Sequence, residues 1–198
     1  MGGRSSVGGG LSESAASHLL HPERTALVVV DLQERLLPAV EGGERIVRNS
    51  VLLLHLAEIL ALPVLLTTQY ARGLGPTVPP VLEAAPGVTP LDKVSFGCFG
   101  NPGFLERLAA LRGRDQLVVA GIESHICVAQ TVLGALERGY AVHVASDATG
   151  SRTAENRAVG LDRMTRAGAV VSSTEMAVYE LLGRSDGAAF KKMLPLLK

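Results

Sequence analysis

Short apolar runs rich in valine and leucine alternate along this chain with amphipathic stretches long enough for helices, and few folds accommodate that alternation. Thr25 to Val30 (TALVVV) is nearly all apolar, the pattern of a strand covered on both faces. Glu44 to Ala61 places Ile46, Val47, Leu53, Leu54, Ala57 and Leu60 on a helical repeat, and Pro63 ends the helix. Further strands are predicted at Val64 to Thr67, Leu91 to Val94, Gln116 to Ala120, Tyr140 to Ala145 and Ala169 to Ser172. Helices are predicted at Phe104 to Arg112, Ser124 to Arg138 and Thr153 to Arg166, with more at the C-terminal end. Such an order predicts an α/β chain in three layers, α/β/α, around a mainly parallel sheet. Ala71 to Pro90 is rich in glycine and proline and reads as one long loop, of a length that in compact domains usually carries function or a subunit contact.

The 198 residues suffice for one domain with a buried core. Residues 1–20 are rich in glycine and serine without a continuous apolar core, which reads as a flexible leader rather than a signal peptide; residues 21–198 form the single domain. Nineteen basic and nineteen acidic side chains balance, so no net field draws nucleic acid or a membrane surface. No apolar run approaches the roughly 20 residues of a membrane span. Two cysteines, Cys98 and Cys127, are too few for a disulfide framework; free thiols in a cytoplasmic, reducing compartment are expected, with a single bridge as the alternative.

In an open parallel sheet, chemistry collects where strands end and helices begin. Three such ends carry polar residues that the strands themselves do not need: Asp31 in VVVDLQ, Lys93 in LDKVSF, and Cys127 in GIESHICV, within the first turn of the next helix. On a wheel of 100° per residue, Cys127 lies roughly 180° from the stripe formed by Ala129, Val132, Leu133 and Leu136, off the face expected to pack on the sheet. At the positive end of a helix a cysteine is either a nucleophile or a small buried hydrophobe. A carboxylate at the end of a central strand is paired, working, or capping the next helix or loop, and all three remain open for Asp31. Lys93 alone reads as a solvated lysine.

The segments VVVDLQERL, LTTQYARGLGPTVP, LDKVSF and VVAGIESHICVAQT, in this order and spacing, resemble the isochorismatase-like cysteine hydrolases, a family that includes nicotinamidases and N-carbamoylsarcosine amidases. The resemblance runs from about Arg24 onward, and QYARGLGPT is similar to the isochorismatase domain-containing branch. It implies a Rossmann-like six-stranded sheet in the order 3-2-1-4-5-6 and a catalytic triad of Asp31, Lys93 and Cys127. It also implies a non-proline cis peptide at Ile122–Glu123, an oxyanion received by backbone N–H groups around Glu123 and Cys127, and a homo-oligomer, dimer or tetramer. Gln33, Gln69, Tyr70 and Phe96 flank the triad as candidate pocket residues, and loop polarity explains Gln33 and Gln69 equally well. Cys98, in the flexible FGCFGNPG segment, has no base in evidence and reads as a bystander, and His125, two residues before Cys127, is expected at a surface or interface.

The triad has its own chemical logic. A thiol is a weak nucleophile until a base or cation activates it, and a carboxylate with an ammonium beside it supplies both. Metal-binding relatives carry an Asp-x-His pair and a further histidine in the loop after the second strand. Gln69 to Pro80 contains no histidine, so no metal or other cofactor is expected and nicotinamide is disfavoured. Isochorismate hydrolysis at a vinyl ether needs no thiol, so Cys127 points to a small molecule with an amide or carbamoyl carbonyl. Three alternatives stand beside this reading. One is a vinyl-ether hydrolase, one a catalytically silent interaction module on the same fold, and one a dinucleotide-binding protein. The last lacks its glycine-rich turn, because DLQERL comes directly after the first strand.

Overall fold

The computed structural model describes residues 19–198. The expected leader therefore falls outside the described residues except for Leu19 and Leu20, and Leu20 is buried, its N–H donating to Glu180 Oε2 at 3.1 Å. Six strands, β1 (Thr25–Val30), β2 (Val64–Gln69), β3 (Leu91–Lys93), β4 (Gln116–Ile122), β5 (Ala141–Gly150) and β6 (Val170–Ser172), form one sheet in the order β3-β2-β1-β4-β5-β6. Every pairing is parallel, which makes the expected sheet wholly rather than mainly parallel.

Alternation along β1 sets the layers. Leu27 and Val29 face one core with Ile46, Leu53 and Leu54 of α1 (Gly43–Leu60), Val81 of α3 (Pro79–Glu83), Ala177 of α7 (Thr174–Leu182) and Met193 of α8 (Ala188–Met193). Ala26, Val28 and Val30 face the other, with Phe104 and Leu108 of α4 (Pro102–Ala109), Val132 and Ala135 of α5 (Ala129–Leu136), and Met164 of α6 (Ala154–Arg166). A strand buried on both sides has no polar face to show, hence its continuous apolar run. Among the described residues no helix is long and apolar enough to cross a membrane.

Three departures from the expected element pattern matter for the site. The segment from Ala71 to Pro90 is not one loop: α2 (Ala71–Leu74) and α3 occupy part of it, and Thr77 bridges Gln33. Val78 N–H donates to Leu32 O at 2.9 Å and Glu34 N–H to Pro76 O at 3.1 Å, so this segment is docked onto the residues after β1. Strand β5 continues past Ala145 to Gly150, because beyond a register shift Thr149 and Gly150 pair with Gly121 and Ile122. The polar SDATG sequence hides that extension from a hydrophobicity reading. Finally, α5 begins only at Ala129; Ser124–Val128 forms a π-helical turn before it, closed by the bond from Val128 N–H to Glu123 O at 3.1 Å.

The central strands meet closely at this end. Gly121 has φ 112°, and a Cβ there would fall 2.0 Å from Val30 O. Only glycine fits between β1 and β4 at this end, where the two strands lead into the candidate residues Asp31 and Cys127.

Candidate active site

Asp31, Lys93 and Cys127 come from separate segments, at the carboxyl ends of β1 and β3 and in the π turn after β4. Asp31 has left the strand conformation, with φ 52°, and is wholly buried. Its carboxylate is held by two donors: Thr67 Oγ1 to Oδ1 at 2.8 Å and Lys93 Nζ to Oδ2 at 2.6 Å. Of the roles left open for Asp31 it is paired, and a buried carboxylate without such donors would be costly. Lys93 is not a solvated lysine. Its side chain is inaccessible, and the ammonium donates to Asp31, to Gln69 Oε1 at 2.9 Å and to Phe96 O at 3.0 Å. All three protons are used, as a buried ammonium requires.

Cys127 is 6 % exposed and packs with the residues of the α4–α6 core. A helical wheel drawn from Ser124 misplaces it: in a π turn each residue advances by a smaller angle than in an α-helix, so a residue expected off the core stripe is swung inward. Burial first, then the negative charge of Asp31, push the Cys127 thiol up to about 12, while the Lys93 ammonium pulls it down. The group at rest is therefore a neutral thiol beside a carboxylate, not the dipole-stabilised thiolate that its place in a first turn suggests.

The π turn is tied down by the end of β5 and the residues just beyond it. Glu123 Oε2 accepts from Arg152 N and Nε at 3.1 and 3.0 Å. Ser124 Oγ lies 2.9 Å from Thr149 Oγ1, and His125 Nδ1 lies 3.0 Å from Ser151 Oγ. The bond joining Ile122 to Glu123 is cis. On the other side α6 presents Gly160, where a Cβ would stand 2.9 Å from both His125 Cα and Ser124 O. Alanine normally stabilises a helix interior over glycine by roughly 0.5–1 kcal/mol. Here the neighbour is backbone, and overpacking at about 1–3 kcal/mol outweighs that gain. Gly160→Ala is expected to lower stability in urea unfolding despite its better helix propensity.

The flanking residues separate by role. Gln33 is buried and spends its carboxamide on backbone: Nε2 donates to Gln69 O at 3.1 Å and Gly75 O at 2.7 Å, and Oε1 accepts from Gln69 N–H at 2.7 Å. That makes it a clamp on the end of β2. Gln69 is bonded to Lys93, and its Nε2 donates to Val94 O at 3.0 Å. Tyr70, at φ 42°, donates its N–H to Lys93 O, and the side chains of Tyr70 and Phe96 are about half exposed. Cys98 is fully buried at the start of a 3-10 turn, and burial pushes its thiol up to about 11. Thr67 escaped the sequence reading because a threonine in a strand is ordinary β-branched filler. Among the described residues no three His, Cys, Asp or Glu side chains converge as a metal site.

An all-parallel α/β/α sheet with polar side chains gathered at the carboxyl ends of its strands is a doubly wound fold, in which that edge is where ligands are received. The chain belongs to the isochorismatase family: residues 25–176 match the family described as Isochorismatase domain. It is 37% identical over 180 residues to isochorismatase domain-containing protein 2A of Mus musculus, covering 89% of this chain and 84% of that one. Among solved structures, the MAR1 ribonuclease of Caenorhabditis elegans superposes with TM-score 0.85 at 35% identity, covering 90% and 92% of the two chains. The YcaC product of Escherichia coli, described as an octameric hydrolase of unknown specificity, superposes with TM-score 0.85 at 29% identity over 90% of each chain.

Proposed function

We propose that the chain is a metal-independent cysteine hydrolase that cleaves the C–N bond of a small amide or carbamoyl compound through a thioester on Cys127. The observation that carries this reading is the buried Asp31–Lys93 pair, 2.6 Å apart, whose charges both act on the Cys127 thiol. A structural salt bridge at a strand end needs no cysteine beside it, and a packing cysteine needs no carboxylate.

As sulfur attacks the carbonyl carbon, its proton passes to Asp31 and the carbonyl electron pair moves to oxygen. Backbone N–H groups around Glu123 and Cys127 receive that oxyanion. When the intermediate collapses, the C–N bond breaks and Asp31 returns the proton to the leaving nitrogen. Water then gives a proton to Asp31 and adds to the thioester; the C–S bond breaks and sulfur regains its proton. Lys93 gives up no proton in these steps; through its bond to Oδ2 it holds the Asp31 carboxylate in place. The octameric hydrolase among its structural neighbours supports a homo-oligomer, and two free, buried cysteines suit a reducing, cytoplasmic compartment.

The test is a screen of small uncharged amides and carbamoyl compounds for ammonia or amine release, with intact-mass detection of an acyl adduct mapped to Cys127. Turnover without any adduct on Cys127 under acid quench would favour the vinyl-ether or another thiol-free chemistry. A protein inert to the whole panel, with an unreactive Cys127, would favour the silent module.

A further inference from the structure

We infer that Thr67 is a positioning residue for the reaction, fixing the orientation of the Asp31 carboxylate through a directed hydrogen-bond chain that starts at Cys98. The inference rests on the cysteine-hydrolase reading and concerns two residues that the triad does not use.

Asp31 directly follows β1 and Thr67 lies on the neighbouring β2, with Asp31 N–H donating to Thr67 O at 3.2 Å. Backbone pairing thus sets the hydroxyl opposite the carboxylate, and Thr67 Oγ1 donates to Oδ1 at 2.8 Å. A hydroxyl has one proton and rotates to suit its surroundings, so alone it could donate elsewhere. Cys98 removes that freedom. Its Sγ approaches Thr67 Oγ1 at 3.9 Å as a donor, and its burial keeps the thiol protonated. The Cys98 backbone is fixed in turn, its N–H donating to Thr131 Oγ1 at 3.0 Å, while Thr131 Oγ1 donates to Cys127 O at 2.7 Å. One run of contacts thus joins the segment carrying the nucleophile to the carboxylate that must take its proton.

The consequence is geometric. With Lys93 on Oδ2 and Thr67 on Oδ1, each carboxylate oxygen has a fixed donor, and the plane of the group cannot turn. Lys93 alone would leave it free to pivot about a single contact. Near-attack geometry is sensitive to such rotation, since a base must meet its proton at hydrogen-bond distance. Thr67 acts through Asp31, so its loss falls on the chemical step and not on binding.

The probe is 4-nitrophenyl acetate, whose leaving group needs no proton, so that release of nitrophenolate tracks acylation of the thiol. Thr67→Val keeps the shape and removes the hydroxyl. It is expected to lower the burst-phase acylation rate at saturating ester by about tenfold, the scale of one hydrogen bond to a charged group, with the ester concentration for half-maximal burst rate unchanged. Thr67→Ser restores the hydroxyl and is expected to recover most of the rate, although it loses a buried methyl and is no more stable in thermal unfolding. That inverse order of rate and packing is what a merely structural threonine cannot produce. A Thr67→Val enzyme as fast as wild type, or a Thr67→Ser enzyme as slow as Thr67→Val, overturns the inference while Cys127→Ala is inactive. If Cys127→Ala hydrolyses the ester at the wild-type rate, the cysteine reading falls and the role of Thr67 falls with it.

Discussion

Asp31→Asn is expected to cut turnover of a responsive amide by about 10² to 10⁴ while making Cys127 easier to alkylate. The two effects point in opposite directions for one reason. Asp31 is the proton acceptor, so its loss removes general-base catalysis. Its negative charge is also one of the influences that raise the Cys127 thiol, whereas Lys93 lowers it. A thiol raised by burial and by that charge holds its proton until a base takes it, which is the part Asp31 plays here. Without the carboxylate the ammonium remains, the thiol titrates at lower pH, and iodoacetamide labelling of Cys127 starts earlier on a pH scan. Mass-resolved labelling alongside amide turnover reads both. Parallel loss of turnover and labelling would show a collapsed site, and unchanged turnover would remove Asp31 from its role.

Lys93→Met is the second large effect, and it appears first in folding. The substitution keeps an unbranched apolar side chain but leaves the Asp31 carboxylate fully buried with only the Thr67 hydroxyl as a side-chain donor. Removing one partner of such a pair typically costs about 3–5 kcal/mol, because the remaining charge has neither water nor counter-ion. A urea titration is expected to show a loss of that size. The double variant Asp31→Asn, Lys93→Met is expected to be more stable than Lys93→Met alone, since no charge is then stranded. If Lys93→Met melts like wild type, the pair is not what holds the ends of β1 and β3 together.

The sheet was readable because strands buried on both faces leave a plain trace: TALVVV and QLVVA each fall within one strand. Asp31, Lys93 and Cys127 stood out by placement, as polar residues where apolar runs stop. The features that stayed hidden depend on tertiary pairing. The last five residues of β5 are not apolar enough to declare a strand, and only partners on β4 make them one. The inward turn of Cys127 depends on a hydrogen-bond pattern that no 100° wheel represents. Gln33 looked like loop polarity until the backbone of Gln69 and Gly75 came within its reach. Thr67 gave no signal, since nothing in TTQ distinguishes the threonine that touches a carboxylate from its neighbour.

The segment spanning α2 and α3 docks on the residues after β1, yet Thr67 and Lys93, whose side chains hold the Asp31 carboxylate, both lie outside it. Substitutions there therefore leave both side-chain donors of that carboxylate in place, much as interchangeable bits fit one drill.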